Sequence, residues 1–201
     1  MSSVVNFNAG NREAWVASVA RSVPAGARVL DVGAGTCHYR KYFRHCSYTT
    51  QDFAEYSGTS SGLMADEFAY GHIDIVSDAA DIPVADGSFD VVLCTEVLEH
   101  VYEPVRVIRE AARILAPGGH LFLSAPLGSG LHQEPYHFYG GFTPHFYRRT
   151  LGELGLEDVS VEPNGGSFRH LLQELHRAGQ IVLARRPRRV WHPEHLFWRV
   201  V

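Results

Sequence analysis

Carboxylates, glycines and histidines stand along this chain in an order that suits ligand binding followed by proton transfer. The stretch "VLDVGAGTCHYR", residues 29–40, runs as an apolar strand through Asp31 into Gly33, Ala34 and Gly35. Glycines at such a turn let the backbone bend tightly and approach a ligand with no Cβ between them. Asp52 closes the next strand-like run, where a carboxylate can accept hydrogen bonds from both hydroxyls of a ribose. Asp78 and Ala79 follow, then "TEVLEH" with Thr95, Glu96, Glu99 and His100. In a helical segment, spacings of three and four put Glu96, Glu99 and His100 on one face. Such a set can move a proton or hold a divalent ion. The stretch "PLGSGLHQEPYHFYGGFTPHFY" (126–147) adds His132, His137, His145 and Glu134 among aromatic residues. A histidine, with an ordinary pKa of about 6.5, suits the role of base near neutral pH.

Alternating elements must position these groups. Residues 11–22 read as a helix with Trp15, Val16, Val19 and Ala20 on one side, and 28–32 as a buried strand. A helix is expected over 36–45, offering unpaired N–H groups behind the glycine turn. Residues 47–53, 73–76 and 89–94 have strand composition. The segment "EPVRVIREAARILAPGG" is a helix with Pro104 in its first turn and Pro117-Gly118-Gly119 as its stop. A strand over 120–125, a helix over 144–155 and a strand over 157–162 complete the series. Residues 54–72, rich in Ser and Gly, read as a loop with at most a short helical turn. The fold class is therefore α/β: a doubly wound, mostly parallel sheet with helices on both faces, which binds ligands beyond the carboxyl ends of its strands.

The chain has 201 residues, enough for a single domain. Within it, 1–24 is an N-terminal helical segment and 165–201 a tail. The tail reads as a helix through 168–178, with 180–184 either a last strand or a continuation of that helix. A net charge of -4 argues against general nucleic-acid binding. Three cysteines without C-x-x-C spacing, and a start with no basic and apolar leader pattern, point to reduced thiols in a cytoplasmic protein. The cluster Arg185, Arg186, Arg188 and Arg189, followed by "WHPEHLFWRVV", is a candidate for peripheral contact with an anionic membrane surface.

Asp31, Gly33 and Gly35 match the spacing D-x-G-x-G-x-G, with Cys37 in place of the last glycine. The turn "PVADGSFDVV", then "EVLEHV", then a helix ending in "LAPGG", accompany it. Together these residues resemble the class I S-adenosylmethionine (SAM) methyltransferases, in the type 11 group that includes the ubiquinone-pathway O-methyltransferases. The resemblance covers roughly residues 25 to 165. It implies SAM as cofactor, with Asp31, Gly33, Ala34 and Gly35 around its methionine end and Asp52 on the ribose. Asp78 would meet the adenine amino group, the Ala79 N–H a ring nitrogen, and Thr95 completes the set. The activity implied is methyl transfer to an oxygen of a small-molecule, sugar-linked or lipid-linked acceptor, with His100, His132 and His137 as catalytic candidates. Some relatives hold a divalent metal with E-x-x-E-H, here Glu96, Glu99 and His100; the metal-free route is the one favoured. Two alternatives belong to other classes: a nicotinamide-dependent oxidoreductase, against which the solitary Lys41 counts, and an inactive SAM-fold interaction module.

Overall fold

A computed structural model describes residues 7–57 and 68–184. Five strands form one sheet: β1 (Arg28–Val32), β2 (Ser47–Asp52), β3 (Ile75–Val76), β4 (Phe89–Thr95) and β5 (Leu115–Ser124). Their order is β3-β2-β1-β4-β5, and every pairing is parallel. Parallel strands require crossovers, and both faces of the sheet are covered by helices. Alternation along β1 and β4 separates two cores. Leu30, Val32, Val92 and Cys94 face one side, and Val29, Val91 and Leu93 the other. The first side is covered by α2 (Pro104–Ile114) through Val107, Ile108, Ala111 and Ile114, with α3 (Pro144–Glu153) packing through Phe146, Tyr147 and Leu151. The second side is covered by α1 (Phe7–Ser22) through Val16, Val19 and Ala20. A longer helix, α4 (Ser167–Ala184), follows α3. No helix among the described residues is long and apolar enough to cross a membrane.

Three local expectations need correction. The helix expected over 36–45 is a single 3-10 turn, His38–Tyr42. Cys37 at its start takes the left-handed conformation, with φ 56°, and the bonds Arg40 N–H to Cys37 O and Phe43 N–H to Arg40 O close three-residue rings. The glycine turn is thus backed by a short turn and not by the start of a full α-helix. Residues 157–162 form no strand: Asp158 has φ 52°, which breaks an extended run that its alternating pattern favours. Strand β5 begins at Leu115, earlier than the expected 120, with a register irregularity opposite Phe89–Val91. Gly118 at φ 76° sits in that irregular stretch, so α2 ends at Ile114 and the Pro-Gly-Gly run expected to stop it lies inside the strand. At the tail, residues 180–184 continue α4. The expectation of at most a helical turn within 54–72 falls partly on residues outside the described ones, as does the basic cluster 185–189.

Candidate active site at the carboxyl ends of the strands

The backbone after β1 makes the first wall. Gly33 has φ 68°, and a Cβ there would lie 2.3 Å from Val97 Cγ2. This position strongly favours glycine, because both conformation and space work against a side chain. Gly35 has φ 50°, and its N–H donates to Asp52 Oδ2 at 2.9 Å. The Ala54 N–H donates to the other oxygen, Oδ1, at 3.0 Å. A carboxylate has about four lone-pair sites, so both oxygens of Asp52 are held in place and each retains one acceptor position. Gln51 braces the same turn, accepting from the Gly33 N–H at 3.4 Å and donating to Ser77 O at 2.6 Å.

Asp31 is only 1% exposed, and its Oδ2 accepts from the Tyr48 hydroxyl. Burial pushes its pKa up to about 7, against the opposing pull of the Tyr48 hydrogen bond. Asp31 therefore braces the loop from beneath, and the backbone of Gly33, Ala34 and Gly35 forms the accessible part. Asp78 is exposed and accepts from the Ala80 N–H at 2.8 Å, with Ala79 buried beside it. Thr95 is buried at the end of β4, paired in register with Ser124 of β5.

The second wall is a histidine cluster. "LEH" forms a short 3-10 turn, Leu98–His100, directly after β4. The loop after β5 folds over it, because the Phe138 and Tyr139 N–H groups donate to Glu99 O at 2.9 and 3.2 Å. His100 Nδ1 lies 2.6 Å from Tyr136 O, which assigns the proton to Nδ1 and leaves Nε2 as an acceptor. The His132 ring lies 4.9 Å from His100 and 4.4 Å from His137. Burial lowers the pKa of His100 to about 4, with His132 and His137 adding to the effect and the Tyr136 carbonyl opposing it. The pKa of His137 is lowered by burial and then by His132, with Glu134 opposing. His145, in α3, is exposed and stands apart from the cluster.

Glu99 is buried, and its pKa lies well above the ordinary carboxyl range, chiefly from desolvation and then from the charge of Glu96. Its Oε2 has no hydrogen-bond partner, nor has the buried hydroxyl of Tyr147. Glu96 faces elsewhere. It pairs with Arg12 of α1 at 2.9 Å and accepts from Ser124 Oγ at 2.9 Å. The E-x-x-E-H set therefore does not converge as expected: among the described residues, the acid and histidine atoms that gather are those of Glu99, His100 and His132, all within 4.8 Å of one another. The β2 side meets this wall as well, since Phe53 packs edge-on to Tyr136 at 4.9 Å. An open groove of about 490 Å³, lined by Tyr102, Val105, Tyr139, Phe142 and Phe146, adjoins the second wall at Tyr139.

Arg12, Tyr48, Tyr136 and Tyr147 carry much of this arrangement and were not singled out by motif. Arg12 and Tyr147 reach in from helices distant in sequence, and no spacing signals them. Tyr48 had a readable clue, since it shares a strand with Asp52.

The sheet order, the glycine turn after β1 and the acid ending β2 define a doubly wound α/β fold with a nucleotide-type site at the carboxyl ends of its strands. Comparison with known proteins agrees. Residues 30–123 match the family described as methyltransferase domain. The sarcosine/dimethylglycine N-methyltransferase of Halorhodospira halochloris is 32% identical over 160 residues, covering 73% of this chain and 57% of the relative. The ubiquinone biosynthesis O-methyltransferase of Xanthomonas axonopodis pv. citri (strain 306) is 39% identical over 114 residues, covering 52% and 45%. The chain thus spans about half the length of the curated relatives it matches. Among solved structures, phosphoethanolamine N-methyltransferase 2 of Haemonchus contortus, in complex with SAM, superposes with a TM-score of 0.60. That match is 19% identical and covers 94% of this chain and 48% of the other, and it speaks for the fold. Residues 30–123 therefore form a methyltransferase domain with the class I SAM-dependent fold.

Proposed function

We propose that this protein binds SAM against Gly33, Ala34, Gly35, Asp52, Asp78, Ala79 and Thr95, and transfers its methyl group to an oxygen of a small or lipid-linked acceptor. One observation carries the reading: the cofactor wall and the histidine cluster leave the carboxyl ends of neighbouring parallel strands, joined by the contact of Phe53 with Tyr136. Methyl transfer from a sulfonium is an in-line displacement, so catalysis consists mostly of alignment. A hydroxyl acceptor also loses a proton. His100 is neutral at pH 7 and offers Nε2, while its Nδ1–H is held by Tyr136 O. This is the orientation a general base needs. His132 and His137 stand next in line to pass that proton towards solvent.

A divalent ion would take Glu99, His100 and His132, and the unpartnered Glu99 Oε2 fits that role. When bound, such an ion would lower the pKa of an acceptor hydroxyl. The metal-free route is preferred because Glu96, the first acid of the motif, is tied to Arg12 and Ser124. The N-methyltransferases among the relatives make a nitrogen acceptor the second reading.

Calorimetry should show binding of SAM and S-adenosylhomocysteine and none of NAD(H) or NADP(H). NAD binding without SAM binding would end the assignment. Turnover should survive EDTA; its loss, with rescue by magnesium or manganese, would establish the metal route.

A further inference from the structure

Helix α4 is inverted. Its side against the protein is polar: Gln173 is buried, Glu174 and Arg177 are half-buried, and Glu174 accepts from the Gly130 N–H at 3.2 Å. Its outward stripe is apolar, with Phe168 89% and Leu171 56% exposed beside Leu172 and Leu175. Two leucines next to its contact points on the loop after β5, Leu127 and Leu131, are 68% and 64% exposed. Six large apolar side chains facing water on one helix and its neighbouring loop mark a docking surface and not a scatter of single residues.

Charge identifies the occupant. Residues 167–201 contain seven arginines and two glutamates, a net of +5, while residues 1–166 carry -9. Four of those arginines, Arg185, Arg186, Arg188 and Arg189, follow α4 directly, with Trp191, Phe197 and Trp198 close behind. An apolar helical stripe joined to an arginine run and tryptophans suits the interface of an anionic bilayer. A second copy would bring like charge against like charge at this end. The acidic remainder of the chain would be repelled from an anionic surface, which orients the molecule with this end down.

We infer that α4, with Leu127 and Leu131, docks on anionic lipid bilayers and presents the histidine-lined side of the site to the membrane. The inference rests on the proposed function only for its consequence, an acceptor drawn from the lipid phase; the docking itself stands independently.

The test is vesicle sedimentation with the full chain. Wild type should co-sediment with vesicles containing phosphatidylglycerol, weakly at high salt, and not with phosphatidylcholine alone. The double variant Phe168→Glu/Leu171→Glu should bind at least about tenfold more weakly, and replacement of the four arginines by glutamine should do the same. Affinity for S-adenosylhomocysteine should be unchanged in both, which separates a failure of docking from a failure of the cofactor assignment. Should the glutamates disturb folding, the arginine variant carries the test alone. Absence of binding to phosphatidylglycerol vesicles at low salt overturns the inference. So does equal binding by a folded double variant, or a wild-type dimer that the double variant converts to monomer.

Discussion

The two walls of the site differ in how completely their polar atoms are used. On the β1–β2 side nearly every group has a protein partner. Asp52 is held by Gly35 and Ala54, Gln51 by Gly33 and Ser77, and Thr50 by Asp74 and His72. On the β4–β5 side, Glu99 and Tyr147 each leave a buried oxygen unpartnered, and three imidazoles crowd together. Unpartnered buried polar atoms are costly, so each of these calls for a partner from outside the chain, such as water, an ion or a ligand. The contrast teaches a division of labour. Under the proposed function, the wall that meets an invariable cofactor is built to completion, whereas the wall that meets the acceptor keeps hydrogen-bonding capacity in reserve.

The sharpest break in that contrast comes from His100. His100→Gln should lower kcat roughly 100- to 10,000-fold, the usual contribution of a positioned base, and leave cofactor affinity intact. Because its pKa is lowered to about 4, wild-type activity should vary little from about pH 5 to 8. An acid limb centred near 6.5 would move the base to another residue. Second in size, Asp52→Ala should weaken SAM binding about 10- to 100-fold, from the loss of hydrogen bonds to a charged group. Calorimetry on the folded variant decides it, and an unchanged Kd removes Asp52 from the cofactor wall. Gly33→Ala probes the completed wall as structure. The φ of 68° and the clash with Val97 should together cost about 1–3 kcal/mol in a denaturant titration. Adding Val97→Ala should restore the steric part and leave the conformational part; full restoration would mean that the left-handed backbone carries no cost.

The two walls were also unequally legible in sequence. The cofactor wall was readable because each of its parts is local: a glycine turn at the end of an apolar strand, and an acid at the end of the next. Helix α2 was readable from its proline start and from apolar residues at helical spacing, but its buried face, Val107, Ile108, Ala111 and Ile114, is seen only in the structure. The segment 36–45 misled because helical composition cannot reveal that Cys37 adopts φ 56°. The segment 157–162 misled because alternation describes a strand only where a neighbour pairs with it. "EVLEH" was read as one helical face, but a 3-10 turn after the left-handed Glu96 sends Glu96 to Arg12 and Glu99 to the interior. The acceptor wall depends on such crossings between distant elements, and the inverted polarity of α4 appears only once its buried side is known to be Gln173.

The smallest expected effect tests whether Glu99 is held in reserve at a cost. Its folded pKa lies above the unfolded value of 4.5. Below the unfolded value, both states carry the proton and no penalty exists. As pH rises past it, the unfolded chain releases the proton while the folded one retains it, so stability is lost until pH passes the folded pKa. Asp31, raised to about 7, acts in the same direction, and His100 acts oppositely below its unfolded pKa. Wild-type stability alone therefore mixes several groups. The difference between Glu99→Gln and wild type isolates one. Glutamine keeps the shape and cannot ionise, so the variant should gain about 1 kcal/mol relative to wild type over the first pH unit above 4.5. Urea titrations of both proteins across that range measure it. A difference that stays constant with pH would mean that Glu99 finds, in solution, a partner for Oε2, and the contrast between the two walls would lose its strongest support.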